Sequence, residues 1–320
     1  MAKILITGFS GFVSRHFVAF LEQNSIQADI LGVGRSRPVF PIDGFRHVRC
    51  QFRHLDLLDR SGVDDVIYSF RPDYILHLAA YSSVGFSWQK PVESFTNNTN
   101  VLLNLLEQVR SLNLRCRILS VGSSEEYGNV DPSSLPLREE RELHPVSPYG
   151  VARVAQELLS KLYVTGYGLD VVMTRSFNHI GCHQRDVFVV PSFAKQLSAI
   201  RYEGAASELV TGDRSIIRDF VDVRDVVRAY YYLLKTGTAG EVYNVCSGLG
   251  TSLDDLIQQM QELLGTKATL RTAAHLVRPN DNQSIIGAKD KISAATGWQP
   301  EITLRESLTA ILDSCSPNRA

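Results

Sequence analysis

Tyr149 and Arg153 stand four residues apart in the segment SPYGVAR, residues 147–153. At this spacing the two side chains share one face of a helix. A free phenol has a pKa of about 10, so it exchanges protons poorly near neutral pH unless a neighbouring cation stabilises its phenolate. The pair therefore indicates acid–base chemistry only in combination with a second polar group that converges on the same reacting atom.

Such a group is Ser123, in the segment VGSSEEYG at residues 121–128, which follows a predicted strand at residues 117–121. Ligands of open parallel sheets bind at the carboxyl ends of the strands, so we expect Ser123 and Tyr149 to face one cleft. A serine hydroxyl and a phenol that converge on one carbonyl can polarise it and deliver a proton as a hydride arrives. The two residues together predict hydride transfer to a carbonyl group.

A glycine-rich turn opens the chain, TGFSGFVS at residues 7–14, directly after an apolar run and directly before a helical pattern. Gly8 permits the tight turn, and Gly11 lets the backbone approach a pyrophosphate at the helix N-terminus. Ser14 stands where a third glycine is expected, and it is small enough for helix and strand to pack closely. The pattern predicts a dinucleotide site. Its predicted contacts are Gly8, Phe9, Ser10, Gly11, Phe12 and Val13.

The end of the second predicted strand bears on the choice between the two nicotinamide cofactors. An NAD-selective site usually has a carboxylate about 20 residues after the glycines, which binds the ribose 2′-hydroxyl. This chain has GRSR at residues 34–37, where Arg35 and Arg37 could pair with a 2′-phosphate and stack on adenine. A solvated basic loop is the alternative. The run favours NADPH over NADH, and we expect Asp56 and Leu57 to lie near the adenine.

Short β-branched runs alternate with longer amphipathic runs in the first half of the chain, which predicts α/β structure with parallel strands joined by helices. The predicted strands are residues 3–7, 30–34, 45–49, 74–79, 117–121 and 170–175. Residues 1–176 are expected to form a Rossmann-type doubly wound parallel sheet that binds the dinucleotide, with segments near 222–246 returning to it. Residues 177–320 are expected to form mainly a smaller mixed α/β lobe, with helices that include 253–264 and 304–314.

Composition excludes several classes of function. The 320 residues are 44% apolar and 21% charged, and their net charge of −1 gives no basic footprint for nucleic acid or an anionic membrane. Five scattered cysteines without a CxxC pattern predict free thiols in a reducing compartment and no metal site. No apolar run approaches the roughly 18 residues of a membrane span, and the first residues do not predict a secretory signal. We therefore expect a cytoplasmic protein.

Taken together, the glycine turn, the strand-end serine and the tyrosine before a cation make the chain resemble the extended short-chain dehydrogenase/reductase family, which remodels nucleotide sugars. The resemblance covers nearly the whole chain, through HLAA at 77–80, SSEEYG at 123–128, SPYG at 147–150, FNHIG at 177–181, RDFVDVRD at 218–225 and YNV at 243–245. SSEEYG and FNHIG are its more specific parts. They are most similar to family members that reduce GDP-4-keto-6-deoxy-D-mannose to GDP-D-rhamnose. The resemblance implies an NADPH-dependent oxidoreductase that acts on a small nucleotide sugar and forms a homodimer.

The resemblance also implies catalytic roles. Ser123 and Tyr149 would polarise the 4-keto group, and Tyr149 would donate the proton. The family has lysine where this chain has Arg153. Arginine keeps the positive charge, but its planar fork suits carboxylates and phosphates better than a single ribose hydroxyl.

The implied binding residues surround this pair. Besides the glycine turn, the implied cofactor contacts are Leu78, Ala79, Ala80, Asn98, Tyr149 and Arg153. The implied substrate contacts are Ser82, Ser83, Ser124, Asn178, Lys195, Arg218 and Arg278, of which the three cations would neutralise the diphosphate. Trp88 is a weaker candidate for the sugar pocket, and His179 is either a substrate contact or a structural histidine.

Two other functions stay open. Glu125 stands where the sugar-nucleotide 4,6-dehydratases of this family carry the glutamate that removes a proton beside the keto group, so a dehydratase or epimerase is the nearest alternative. A dehydratase returns its hydride and keeps its cofactor, whereas a reductase consumes one NADPH in each turnover. The second alternative is a non-catalytic NADP(H)-sensing protein that Arg153 has made inert.

Overall fold

The computed structural model of the chain describes residues 1–204, 207–277 and 282–316. Its strands are β1 (Ala2–Thr7), β2 (Ala28–Gly34), β3 (Val48–His54), β4 (Tyr74–His77), β5 (Arg117–Ser123), β6 (Asp170–Ser176), β7 (Asn178–Ile180), β8 (Glu208–Thr211), β9 (Ile217–Asp222), β10 (Val242–Val245), β11 (Gly250–Ser252), β12 (Thr269–Thr272) and β13 (Ser284–Ile285). Its helices are α1 (Phe12–Gln23), α2 (Arg60–Phe70), α3 (Val84–Gln89), α4 (Pro91–Ser111), α5 (Pro148–Tyr167), α6 (Val189–Tyr202), α7 (Val223–Thr236), α8 (Leu253–Leu264), α9 (Asp290–Thr296) and α10 (Leu304–Ser314). None of these described helices has both the length and the apolar character that a bilayer crossing needs.

Seven strands form one parallel sheet in the order β10-β6-β5-β4-β1-β2-β3. From β1 the chain builds outward through β2 and β3 on one side, then crosses back to β4 and continues through β5 and β6 on the other. The strand order therefore reverses beside β1, and ligands of doubly wound sheets bind at such a switch point. The run Ile4, Leu5 and Ile6 in β1 is buried because both faces of the sheet are covered.

Helices cover both faces of this sheet and enclose two apolar cores. The core on one face includes Phe17 and Leu21 of α1 and Leu233 of α7. The core on the other face includes Ile67 of α2 and Leu102 of α4. The structure thus confirms the predicted Rossmann-type α/β fold.

Two late elements return to this half of the molecule: α7 covers one face of the sheet and β10 extends its edge. α7 begins after its N-cap Asp222, whose carboxylate accepts the Arg224 amide at 2.8 Å, and it packs against α1. β10 then pairs with β6 at the edge of the sheet. Further along, the fully buried Trp298 donates its indole N–H to the Asp225 carbonyl at 3.0 Å, which ties the segment after α9 to α7.

The third strand lies further along the chain than residues 45–49, where it was predicted. β3 is an edge strand, and its residues Arg49, Gln51 and Arg53 are exposed. The continuous apolar run that identifies a strand covered on both faces is therefore missing. Phe45, which suggested the earlier position, packs against the core from the preceding loop.

The remaining elements build the smaller mixed lobe. β9 pairs with β7, β11 and β13, and β8 pairs with β12 in a separate two-stranded sheet. Helices α6, α8 and α10 pack on one another around a core that includes Leu197, Leu256 and Leu308. The smaller α/β lobe predicted from the sequence is thus present.

Candidate active site

The turn between β1 and α1 packs tightly against the end of β4. Gly8 has a φ of +67°, in the left-handed region that favours glycine, and a Cβ there would lie 2.9 Å from the Cα and amide nitrogen of Ala79. The Thr7 hydroxyl oxygen accepts the Leu78 and Ala79 amides, each at 3.1 Å. Ala80, the next residue, is half-buried. The backbone conformation and the available space therefore both require glycine at position 8.

The first turn of α1 is open to an anion. Gly11 is the N-cap, no described side chain caps the helix there, and the Gly11 amide donates to the Gly8 carbonyl at 2.9 Å. The buried Ser14 hydroxyl donates to the same carbonyl at 3.1 Å, so serine fits where a third glycine was expected. Uncapped amides and the positive end of the helix dipole fit the pyrophosphate of a dinucleotide.

Three further residues of this turn have different surroundings. Phe9 is fully buried, and its ring centre lies 5.4 Å from that of Phe40. The side chain of Phe9 therefore anchors the turn in the core, and its predicted cofactor contact is restricted to backbone atoms. Phe12 stacks on His179 with 6.1 Å between ring centres, and Val13 is half-buried.

Arg35 and Arg37 lie after β2, beside the glycine turn. The Ser10 hydroxyl donates to the Ser36 carbonyl and so joins this basic loop to the turn. The guanidinium carbon of Arg35 lies 5.0 Å from the centre of the Tyr81 ring, and both arginines are exposed. A guanidinium held there by a tyrosine ring is available to a phosphate group.

Three predicted cofactor residues have other partners. Leu57 is buried in the core on the α2 side, whereas Asp56 is half-exposed and accepts the Leu58 amide at 3.0 Å. Asn98 is fully buried, with Oδ1 accepting the Tyr81 amide at 2.9 Å and Nδ2 donating to the Tyr81 carbonyl at 3.2 Å. Asn98 therefore positions the loop after β4. Both of its polar atoms thus have partners in the protein, and its direct contact with the cofactor stays a prediction.

The end of β5 meets the start of α5. Ser123 ends β5, and its hydroxyl oxygen accepts the Glu125 amide at 3.2 Å. Tyr149 lies in the first turn of α5, which begins after its N-cap Ser147. A Cβ at Gly150 would come within 2.8 Å of the Glu125 carbonyl oxygen, so the two segments touch here. Ser123 is 9% exposed and Tyr149 is 5% exposed, so both side chains are largely shielded from water.

Arg153 lies beside Tyr149, as the helical spacing predicts. Its guanidinium carbon is 5.1 Å from the centre of the tyrosine ring. Nη1 donates to the Val121 carbonyl at 3.0 Å and to Gln156 Oε1 at 2.6 Å, and Gln156 in turn donates to the Ser120 hydroxyl at 2.9 Å. The cation is thus buried and anchored to β5.

His77 ends β4 in the same interior. Its Nδ1 lies 2.9 Å from the Thr7 hydroxyl oxygen, which already accepts two amides and must therefore donate its own hydrogen to Nδ1. The ring proton is then on Nε2. Burial, followed by the charge of Arg153, lowers the pKa of His77 to about 3, so the ring is neutral.

The uncharged residues predicted to bind substrate have varied exposure. Ser82 and Asn178 are exposed, whereas Ser124 is buried in the 3-10 turn Ser124–Glu126. The Ser83 hydroxyl caps α3 by accepting the Phe86 amide at 3.2 Å. The hydroxyl hydrogen and the second lone pair of Ser83 remain available for a substrate contact.

The cationic side chains that were predicted to bind the diphosphate differ in their accessibility to a ligand. Lys195 is an exposed residue that donates to Asp186 at 2.6 Å, so a diphosphate would have to displace this carboxylate. Arg218 is buried, and its Nη1 donates to the Ile217 and Asn282 carbonyls at 3.0 and 2.7 Å. Arg278 lies outside the described residues.

His179 and Trp88 are set in apolar surroundings. The Nδ1 of His179 lies 3.3 Å from the Phe177 carbonyl, and burial lowers the pKa of His179 to about 4. These contacts favour the structural interpretation of this histidine. Trp88 lines an open apolar groove together with Phe95 and Val151.

Sequence reasoning missed a set of buried polar residues close to Ser123. They are Glu126, Gln156, Glu157 and Arg175. The sequence signal that could have identified them is a charged or polar residue at a position where the strand or helix pattern predicts burial. Arg175 interrupts the apolar strand β6, and Glu157 follows Arg153 by four residues on the same helical face. Charged side chains at such positions are almost never left unpaired.

A Rossmann sheet whose first turn fits a pyrophosphate, with a serine at the end of β5 and a tyrosine in the first turn of the adjoining α5, is the architecture of an extended short-chain dehydrogenase/reductase. One family model, described as GDP-mannose 4,6 dehydratase, matches residues 5–311. The chain therefore belongs to the GDP-mannose 4,6-dehydratase family.

Known relatives differ in their reactions. GDP-6-deoxy-D-mannose reductase from Pseudomonas aeruginosa is 32% identical over 310 residues, which cover 97% of this chain and 96% of that protein. A structure of RMD from Pseudomonas aeruginosa complexed with NADPH has a TM-score of 0.86 at 32% identity, covering 99% of this chain and 100% of the other. A UDP-glucose 4-epimerase from Thermus thermophilus in complex with NAD has a TM-score of 0.85 at 28% identity, with 98% of both chains covered.

Proposed function

We propose that the protein reduces the 4-keto group of a nucleotide-linked 4-keto-6-deoxyhexose with NADPH, converting GDP-4-keto-6-deoxy-D-mannose to GDP-D-rhamnose. Similarity to a GDP-6-deoxy-D-mannose reductase over nearly the full length of both proteins supports this reaction. The observation that carries the chemistry is that Tyr149, with a cation beside its ring, lies in the first turn of α5, which touches the segment directly after Ser123.

Ser123 and Tyr149 would share the 4-keto oxygen of the substrate. The Ser123 hydroxyl oxygen accepts the Glu125 amide at 3.2 Å, which leaves its hydrogen to donate to a carbonyl oxygen. Tyr149 would give its phenolic proton to the same oxygen as the carbonyl carbon is reduced. Both contacts strengthen as negative charge develops on that oxygen, so they favour the transition state over the ground state.

Arg153 would act as a fixed charge. A guanidinium does not release its proton near neutral pH, so it cannot relay one. From its place beside the ring it stabilises the phenolate that remains after Tyr149 has given up its proton. Its contacts with Val121 and Gln156 hold it at β5, and a swing towards a ribose hydroxyl would break them.

The glycine turn and the basic loop after β2 would hold the cofactor. Gly11 and the first turn of α1 would receive the pyrophosphate, and Arg35 and Arg37 would pair with the 2′-phosphate. NADPH supplies the hydride when it is bound. The missing carboxylate in the segment 34–37 supports NADPH over NADH, and the RMD neighbour was solved with NADPH.

The division of labour between the lobes belongs to the same proposal. Residues 1–176, with the returning segments near 222–246, would bind the cofactor, and residues 177–320 would mainly bind the sugar nucleotide. Asn178, Arg218 and Arg278 would contact the nucleotide part. Ser82, Ser83 and Ser124, which follow the ends of β4 and β5, would lie closer to the sugar.

A direct assay tests the reaction. Purified protein is mixed with NADPH and GDP-4-keto-6-deoxy-D-mannose, the nicotinamide absorbance is followed, and the product is compared with GDP-D-rhamnose by chromatography and NMR. We expect one NADPH to be consumed for each GDP-D-rhamnose formed. Unchanged absorbance and unchanged substrate would contradict the proposal.

The same assay separates the alternatives. The backbone amide of Glu125 donates to the Ser123 hydroxyl oxygen, so Glu125 lies next to Ser123. Its carboxylate could serve as the base of a 4,6-dehydratase or an epimerase. Either enzyme would turn over GDP-mannose or another nucleotide sugar without net cofactor consumption, and Glu125→Gln would abolish that reaction. A protein that binds NADPH tightly but turns over no nucleotide sugar would instead be an NADP(H) sensor.

A homodimer formed through α4 and α5 is part of the proposal. These two helices pack side by side and leave large apolar side chains exposed, Val92 and Phe95 on α4 and Val151, Leu158 and Leu162 on α5. Such a patch is typical of an interface, and a second copy would bury it by two-fold symmetry. Light scattering after size exclusion should give a dimer for wild type and a monomer for Leu158→Glu. The control Leu249→Glu, at an exposed leucine of the smaller lobe, should stay dimeric.

A cytoplasmic location is also proposed. All five cysteines are free thiols, and two of them, Cys116 and Cys246, are buried singly. Unpaired cysteines suit a reducing compartment. Cell fractionation with an antibody to the protein would test this location.

A further inference from the structure

Close to Ser123 lies a cluster of charged side chains that is shielded from solvent. Glu126 is 0% exposed, Arg175 2% and Glu157 4%. Glu126 belongs to the 3-10 turn after β5, Arg175 to β6 and Glu157 to α5. The cluster thus joins the elements that carry Ser123 and Tyr149, yet the roles proposed so far do not use it.

One carboxyl oxygen of Glu126 holds the backbone of the proposed catalytic serine. Glu126 Oε1 accepts the Ser123 amide at 2.7 Å, and the Ser123 hydroxyl caps the same turn in return, so the two residues form a capping box. A Cβ at Gly122 would overlap Glu126 Oε1, and only glycine there admits the carboxyl. The carboxyl is therefore built into the point where β5 ends.

The second oxygen, Oε2, has no N–H or O–H donor among the described residues. Arg175 Nε lies 3.9 Å away and instead donates to Glu157 at 2.9 Å, while Nη2 donates to Glu157 at 2.8 Å. A buried carboxylate oxygen without a donor is costly. A protonated oxygen is itself a donor, and the Glu157 carboxylate, which lies within hydrogen-bonding reach of Glu126, is an acceptor.

The surrounding charges agree with a neutral Glu126. The titratable groups of the cluster and of its immediate surroundings are Tyr127, Glu139, Glu157, Lys161 and Arg175. Arg175 and Glu157 balance each other, and Lys161 reaches Glu157 at 2.7 Å from a half-exposed position. Burial, and then the charge of Glu157, raise the pKa of Glu126 well above its usual range. Burial alone would also raise the pKa of Glu157, but hydrogen bonds from Arg175 and Lys161 bring it below the usual value.

We propose that Glu126 is a positioning residue for the reduction: as a neutral carboxylic acid it accepts the Ser123 amide with one oxygen and donates its proton to Glu157 with the other. The inference rests on the proposed function, in which Ser123 holds the keto oxygen. A neutral acid suits this place because a carboxylate beside Ser123 would oppose the negative charge that develops on that oxygen.

Infrared difference spectroscopy tests the protonation state without substrate. The spectrum of wild type minus that of Glu126→Gln should contain the carbonyl band of a protonated carboxylic acid. Glu107→Gln is the matched control, because hydrogen bonds from Arg110 and Tyr163 lower the pKa of Glu107 to about 2. Its difference spectrum should therefore contain only the bands of an ionised carboxylate. A difference spectrum for Glu126→Gln that shows only carboxylate bands would overturn the proposal.

Kinetics test the positioning role. Glutamine can make both hydrogen bonds, so kcat of Glu126→Gln should stay near the wild-type value. Leucine leaves the Ser123 amide without an acceptor, so kcat of Glu126→Leu should fall on the order of 10–100-fold while the NADPH Kd stays unchanged. Equal losses in both variants would overturn the role. If wild type reduced no 4-keto sugar, the proposed function would fail, whereas the infrared result would still decide the protonation of Glu126.

Discussion

The guanidinium carbon of Arg153 lies 5.1 Å from the centre of the Tyr149 ring, while its Nη1 is bound to the Val121 carbonyl of β5 at 3.0 Å. A lysine ammonium is a single point charge, whereas a guanidinium can bind the strand with one nitrogen and keep its plane near the ring. Arginine in place of the family's lysine therefore changes how the charge is anchored without removing it.

Neutralising position 153 should impair proton donation. Arg153→Met removes the charge that stabilises the phenolate, so we expect kcat to fall and the pH–rate profile to move to higher pH. Arg153→Lys keeps the charge and should retain or improve activity. Profiles of kcat against pH for the three proteins measure this. An unchanged profile in Arg153→Met would show that the arginine does not act on Tyr149.

Removing the phenol should stop turnover and spare cofactor binding. Tyr149→Phe loses the general acid, which contributes about 10²–10⁴ in rate, so kcat should fall within that range while the NADPH Kd is unchanged. Tyr167→Phe, at an exposed tyrosine that ends the same helix, is the control and should behave as wild type. Turnover by Tyr149→Phe near the wild-type rate would require another proton donor.

The basic loop should decide the cofactor. NADPH should bind more tightly than NADH, and Arg35→Asp should erase or reverse that preference because it repels the 2′-phosphate. Fluorescence titration of both cofactors measures the ratio of the two Kd values. Arg49→Asp, the same change at an exposed arginine of β3, should leave the ratio alone. Equal affinities in wild type would rule out the NADPH assignment.

The cations of the smaller lobe should differ in their effect on substrate binding. Arg218→Ala should raise KM for the sugar nucleotide by about 10–150-fold, the equivalent of a charge-assisted contact of about 1.5–3 kcal/mol. Arg278→Ala is expected from the sequence to do the same. Lys195→Ala should change KM little, because Asp186 already neutralises this exposed lysine. Weaker NADPH binding with unchanged KM in Arg218→Ala would contradict the assignment of the lobes.

The raised pKa of Glu126 predicts a pH-dependent stability. Above pH of about 4.3 the unfolded chain loses this proton while the folded protein keeps it, so stability relative to Glu126→Gln should decline as pH rises. The limiting slope is about 1.4 kcal/mol per pH unit, until the pH passes the folded-state pKa. Urea unfolding of both proteins between pH 5 and 8 measures the difference. Parallel pH dependences would mean that folded Glu126 ionises normally.

Local signals in the sequence predicted much of the fold. The bounds of α8 and α10 agree with the predicted helices at 253–264 and 304–314, because Ser252 and Thr303 cap their starts. Asp222 likewise opens α7. The edge strand β3 was misplaced because a strand with exposed polar residues lacks the apolar run that identifies its neighbours.

The surroundings of the site residues were less predictable. The motifs identify Ser123, Tyr149 and Arg153, but which polar atoms remain open depends on tertiary contacts between distant segments. Asn98 is occupied by the Tyr81 backbone and Lys195 by Asp186, and neither partner follows from the local spacing. The bond between Arg153 and Val121 joins a helix to a strand 32 residues earlier in the chain.

The position of β10 next to β6 has a consequence for biosynthesis. A nascent chain that has left the ribosome only as far as β6 carries an open strand edge, and Val172 of β6 still lacks the helix α7 that shares its core. Open edges readily pair with other chains. β10 closes this edge only after α6, β8, β9 and α7 have been synthesised. The seven-stranded sheet thus cannot be completed before much of the smaller lobe has been synthesised.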